Sequence, residues 1–159
     1  MRAWKCMTWG GPHQLEQGNM PDPEPADGEV EITVKACGVN FADLLLISGR
    51  YQVRPELPFV PGIEVAGRVT RLGSGVGSFN VGDKVAAYVK HGGYADKVVA
   101  PVAQVVAIPE SIPVADAAAF PVSYGSAELA LERAQLSAGD VVLVGGAAGA
   151  VGTACVELA

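Results

Sequence analysis

Over residues 29–36 the chain alternates: Val30, Ile32, Val34 and Ala36 are apolar, and Glu31, Thr33 and Lys35 between them are polar. Successive side chains of a strand point to opposite faces, so a period of two predicts a half-buried antiparallel strand with its polar residues toward solvent. Strand-like composition recurs over residues 1–9, 64–72 (interrupted by Gly67), 84–89, 94–100 and 104–108, with glycine turns at 73–77 and 81–83. Alternate prolines over residues 20–28 enforce an extended path across the surface. Many short strands at about ten-residue spacing, separated by Gly/Pro turns, predict a sandwich or barrel.

Helical signals are fewer. Asn40-Phe41-Ala42-Asp43 precedes the apolar block Leu44 to Ile47, and Gly49 follows it. Asparagine caps helices well, and an acid three residues on reaches back to the cap's own N–H, so a short helix is predicted over residues 41–48. The spacing Pro55-x-x-Pro58-x-x-Pro61-Gly62 then excludes regular structure, because each proline fixes φ and removes a donor. Such a loop on a rigid frame is where a small-molecule site would sit. After Pro109 the character changes. Residues 111–120 fit a short helix cut by Pro121, and residues 125–135 fit a longer one rich in Ala, Leu and Glu.

Gly139-Asp140 leads into an apolar strand over residues 141–144, a glycine turn, and a helix opening near Ala150. Strand, glycine turn and helix in that order open a dinucleotide-binding unit. In Gly146-Ala147-Ala148-Gly149-Ala150-Val151-Gly152, Gly149 would admit a pyrophosphate to the backbone and Gly152 would let the helix pack on its strand. The same run would also serve as a plain glycine turn. The residue that separates NAD from NADP falls about 20 positions further on, past Ala159. An apolar strand with no neighbour also needs cover, so the chain reads as part of a roughly doubled enzyme, and the exposed strand could drive non-native association.

Composition narrows the function classes. The chain has 159 residues, half of them hydrophobic and 18% charged, which is globular rather than disordered. A net charge of −6 without a block of Lys or Arg argues against nucleic acid and against anionic membrane surfaces. Cys6, Cys37 and Cys155 are odd in number and scattered, which fits reduced thiols in a cytoplasmic protein. His13 and His91 are the only histidines and neither stands at metal-ligand spacing from a cysteine, so no zinc site is expected. The uncharged run 141–156 is shorter than the ~18–20 residues a membrane span needs.

The ordered set GVNFADLLLISGRY, LPFVPGIEVAGRV, GGYAD, FPVSYGSA and GGAAGAVG resembles the zinc-independent, zeta-crystallin-like quinone oxidoreductases of the medium-chain dehydrogenase/reductase superfamily, over nearly the whole chain. The resemblance implies a mainly β fold with short helices: a GroES-like barrel over residues 1–122, followed over 123–159 by the first strand-turn-helix of a Rossmann domain. It implies NADPH as cofactor and direct hydride transfer to a quinone or enone, with solvent supplying protons. Asn40, Tyr51 and Ser126 would line the nicotinamide and substrate cleft, with Asn40 and Tyr51 nearest the chemistry. Ala148, Gly149, Ala150, Val151 and Gly152 would form the phosphate loop. The plainer roles of a helix cap for Asn40, core packing for Tyr51 and helix capping for Ser126 stand beside these. Asn40 and Phe41 occupy positions where zinc-dependent relatives carry Cys and a neighbouring His or Ser, and Ile63 replaces a His ligand, so no metal is expected at this triad. Relatives dimerise through the nucleotide domain, which implies a homodimer of the full-length form. The alternatives are an enoyl or alkenal reductase of the same superfamily, or a catalytically silent GroES-like module.

Overall fold

A computed structural model describes all residues, 1–159. The predicted alternation becomes β3 (Glu29–Cys37), an interior strand of a curled antiparallel sheet. It pairs on one side with β4 (Glu64–Leu72) and on the other with β6 (Lys97–Pro101). β4 continues to β5 (Lys84–Tyr88), and β5 to β7 (Val105–Ala107), which gives the order β6-β3-β4-β5-β7. Val98 and Ala100 on one edge strand share a core with Val105 on the other and with Val30, Ile32, Val65, Val69 and Val85 between them. Residues at opposite edges of a flat sheet would not meet, so the sheet closes around its own apolar face. A ribbon of β1 (Arg2–Cys6) and β2 (Leu15–Asn19) joins it through bridges Ala3 to Ala95 and Cys6 to Phe59.

Helix α1 (Phe41–Ile47) forms where the cap signal placed it, and the Asp43 carboxylate accepts the Asn40 N–H at 2.9 Å. α2 (Val114–Ala117), α3 (Phe120–Ala134) and α4 (Ala150–Leu158) follow β7. The buried ammonium of Lys84 donates to the carbonyls of Pro109, Glu110 and Ile112, fixing the segment between β7 and α2. Phe120 and Tyr124 stack at 4.4 Å between ring centroids on α3, and the Tyr124 hydroxyl donates to Glu157 of α4.

The structure corrects several expectations. Residues 141–144 form no strand: Val141 and Leu143 stand 98% and 96% exposed, because a parallel strand exists only where a neighbour completes its ladder. Pro121 does not cut a helix but sits in the first turn of α3, where its missing N–H costs nothing, and α3 runs on through Gly125. The helix expected over 111–120 shrinks to the four residues of α2, and the strand expected from Tyr94 starts only at Lys97. Gly67 does not interrupt β4. Glu31 is not on a solvent face. It is 1% exposed, and its carboxylate accepts from Thr70 Oγ1 at 2.7 Å and from Arg71 at 2.8 and 3.1 Å, with Lys97 Nζ 3.6 Å away. Those cations outweigh burial and hold its carboxyl below the usual range.

Candidate functional site

The glycine run turns into α4 through Gly149, whose backbone is extended. Gly146 has φ +70°, and its carbonyl accepts the Gly149 N–H at 2.9 Å. Thr153 donates the first bond of the helix, to Gly149 O at 2.8 Å. The N–H groups of Ala150, Val151 and Gly152 therefore have no acceptor in the protein, and they carry the positive end of the helix dipole. A Cβ on Gly152 would lie 2.2 Å from Gly146 O and 2.8 Å from Ala147 Cα, so helix and turn close up only around glycine.

These groups border a cavity of about 460 Å³. Gly145, Gly146 and residues 149–152 form one wall; the opposite wall is Asn40, Phe41 and Ala42 from the start of α1, with Val122 and Ser123 from α3. The structure thus brings Asn40 to the phosphate-loop candidates Gly149, Ala150, Val151 and Gly152. It does not bring the others. Ala148 is exposed and outside the wall. Ser126 is exposed one turn beyond Ser123, ~4.5 Å further along α3, and the lining hydroxyl is that of Ser123. Tyr51 lies past the far end of α1 and packs on Cys6, Leu46, Ile47, Phe59 and Ile63, the core role weighed for it.

Beneath the Asn40 wall lies a group of buried polar side chains that pattern reading passes over. Asp43 is fully buried; its Oδ1 accepts the Gly62 N–H at 3.1 Å and its Oδ2 the Asn40 N–H. Glu64 is 2% exposed, and its two oxygens accept Asn40 Nδ2 at 2.8 Å and the Val122 N–H at 2.9 Å. Burial raises both carboxyls above their ordinary range, and the charge of Asp43 adds to the rise at Glu64. The signal available in the sequence is weak: a Glu at the start of a strand that follows Pro61-Gly62 reads equally well as a surface acid.

The same charges act on Cys37. Burial, then Asp43 and Glu64, push its thiol up to about 12. At pH 8 the thiolate fraction is then on the order of one in 10,000. Iodoacetamide at pH 8 is accordingly expected to leave Cys37 and the buried Cys6 unmodified in the folded protein and to modify both after denaturation, as mapped by peptide mass spectrometry. Rapid alkylation of native Cys37 would refute this electrostatic picture.

The sequence pattern that defines the alcohol dehydrogenase GroES-like domain matches residues 26–110. The quinone oxidoreductase of Sus scrofa is 39% identical over 162 residues, covering 100% of this chain and 49% of that protein. The crystal structure of human synaptic vesicle membrane protein VAT-1 homolog-like protein superposes with a TM-score of 0.95 at 42% identity, over 99% of this chain and 52% of that one. The quinone oxidoreductase of Thermus thermophilus, solved also as its complex with NADPH, superposes with a TM-score of 0.85 at 44% identity, over 99% of this chain and 49% of that one. The chain spans between 38% and 50% of the length of curated relatives it matches.

Proposed function

Since the chain belongs to the alcohol dehydrogenase GroES-like domain family, we propose that it is the N-terminal part of an NADPH-dependent, quinone reductase-like oxidoreductase working without zinc. The observation that carries this is the cavity wall of three unpartnered N–H groups at the start of α4, facing Asn40. The residues fit a dinucleotide: no neighbour stands within 4 Å of where a Cβ would lie on Gly145 or Gly146, and the free donors suit a pyrophosphate.

In this reading Ala150, Val151 and Gly152 bind the phosphates through backbone N–H groups, and Gly149, whose own N–H is held by Gly146 O, completes the turn with Ala148. Asn40 orients the nicotinamide end, and the α3 hydroxyl beside it is that of Ser123, with Ser126 one turn further along the helix. The bound cofactor supplies hydride, and the acceptor is a quinone or conjugated carbonyl, already electrophilic enough to take hydride without a Lewis acid. Phe41 and Ile63 offer no lone pair to a metal. The division at residues 122 and 123 into a GroES-like part and a nucleotide-binding part belongs to the same proposal, and it falls within α3. Three free thiols fit a reducing, cytoplasmic setting. No helix is long and apolar enough to cross a membrane.

The test is a calorimetric titration of the purified chain with NADPH, with NADH alongside. Saturable NADPH binding is expected. Gly152→Ala, which forces the turn away from the helix, is expected to weaken it at least about tenfold. Absence of binding up to millimolar NADPH would reject the cofactor reading for this chain and favour a silent GroES-like module.

A further inference from the structure

Glu64 and its neighbour Asp43 stand apart as the buried acids of this chain that have no basic partner. Glu31, Asp22, Asp96 and Glu110 all have basic partners. Glu64 is nearly as buried as Glu31, yet no cation touches it, and the neighbouring charge, on Asp43, is of its own sign. An unpaired buried carboxylate is costly, and a well-packed apolar residue would serve the core better if packing were the only demand.

Its geometry shows what the carboxylate does instead. It projects from the first residue of β4, where the backbone is held on both sides: Glu64 pairs with Tyr88 of β5, and its carbonyl accepts the Gly38 N–H at 3.1 Å. One oxygen takes the Asn40 side-chain amide and the other the Val122 N–H in the first turn of α3. Asn40 and Val122 both line the cavity. The space for the carboxylate is shaped by Gly38, where a Cβ would lie 2.1 Å from Glu64 Oε1. A rigid strand thus carries one acceptor group that ties together the α1 and α3 parts of one cavity wall.

We propose that Glu64 is a positioning residue of the cofactor site: it locks the Asn40 amide and fixes the start of α3 against the start of α1. The proposal rests on the cofactor reading above. Both partners are donors, so the ionised carboxylate, with acceptors at both ends, suits them and a carboxamide does not. Glu64→Gln preserves volume but sets its own NH₂ against either Asn40 Nδ2 or the Val122 N–H.

The experiment is a double-mutant cycle of Glu64→Gln and Asn40→Ala, read by calorimetric NADPH affinity and by ¹⁵N NMR of the Asn40 side-chain amide and the Val122 backbone amide without cofactor. Glu64→Gln is expected to speed hydrogen exchange at one or both amides about tenfold and to weaken NADPH binding about five- to tenfold. In the Asn40→Ala background the same substitution is expected to weaken binding less than about twofold, because the group it orients is gone. Val85→Ala, a core truncation remote from the cavity, should lower stability while leaving NADPH affinity unchanged. Multiplicative effects in the cycle, or unchanged amide exchange in Glu64→Gln, would overturn the proposal. Wild-type protein that binds no NADPH would reject the cofactor reading itself, and the amide exchange then still decides whether Glu64 orders Asn40 and Val122.

Discussion

Gly67→Ala is expected to destabilise the chain by about 3 kcal/mol or more, enough to prevent folding of a marginally stable domain. The reason is a backbone contact. A Cβ on Gly67 would lie 2.0 Å from Thr33 O and 3.0 Å from Thr33 C. Both atoms belong to β3, next to the register shift between Val34 and Ala36 where β3 bulges against β4. No rotamer change relieves a clash with a carbonyl, so the two central strands would have to separate and open the core formed by Ile32, Val65 and Val69. Gly77→Ala is the control: nothing stands within 4 Å of its Cβ position and its φ is not positive. It should leave stability within about 0.5 kcal/mol, or raise it slightly by restricting the unfolded chain. Urea unfolding monitored by tryptophan fluorescence measures both. Equal midpoints for Gly67→Ala and wild type would mean that β3 and β4 do not approach as described.

Asp43→Ala carries the next largest effect. It orphans two backbone donors, Asn40 N–H and Gly62 N–H, at a site with no solvent access. Each unsatisfied donor costs roughly 1–3 kcal/mol, so a loss of about 2–5 kcal/mol is expected. Asp43→Asn keeps one acceptor and should lose about half as much. The pH dependence has a definite sign. Burial raises the Asp43 carboxyl above its ordinary 3.8, so the folded state binds this proton more tightly than the unfolded state. Stability from this group is therefore greatest below the unfolded value and declines as pH rises from there through the folded value. Asparagine does not titrate, so Asp43→Asn should cost more near pH 4 than near pH 8. A cost that grows with pH would mean that the ionised form is the favoured one in the fold.

The cofactor-loop candidates illustrate how far pattern reading reaches. Gly149 and Gly152 are legible because turn, helix start and close packing are demands made within a few residues. Asn40 is legible as a cap for the same reason, and its cap geometry with Asp43 is what the structure contains. Ser123 is not, because which hydroxyl of α3 faces the cavity depends on how the helix is rotated against α1 and α4. Pro121 reads as a breaker in sequence because the same residue type ends one helix and opens another, and only the neighbouring backbone decides between them.

Periodicity, caps and glycine turns, all local in range, were enough to locate the strands of the five-stranded sheet, α1 and the turn into α4, but not β2 (Leu15–Asn19). The tertiary structure alone decided the rest. Glu31 became buried because Arg71, 40 positions away, came to meet it. Residues 141–144 stayed unpaired because a strand requires a partner that this stretch of chain does not supply. Glu64 became the link between the α1 and α3 parts of the cavity wall because folding brought Asn40 and Val122, 24 and 58 positions distant, to its two oxygens. A carboxylate's partners are set by Coulomb and hydrogen-bond forces that act over a few ångströms of space, and sequence separation gives no measure of that distance.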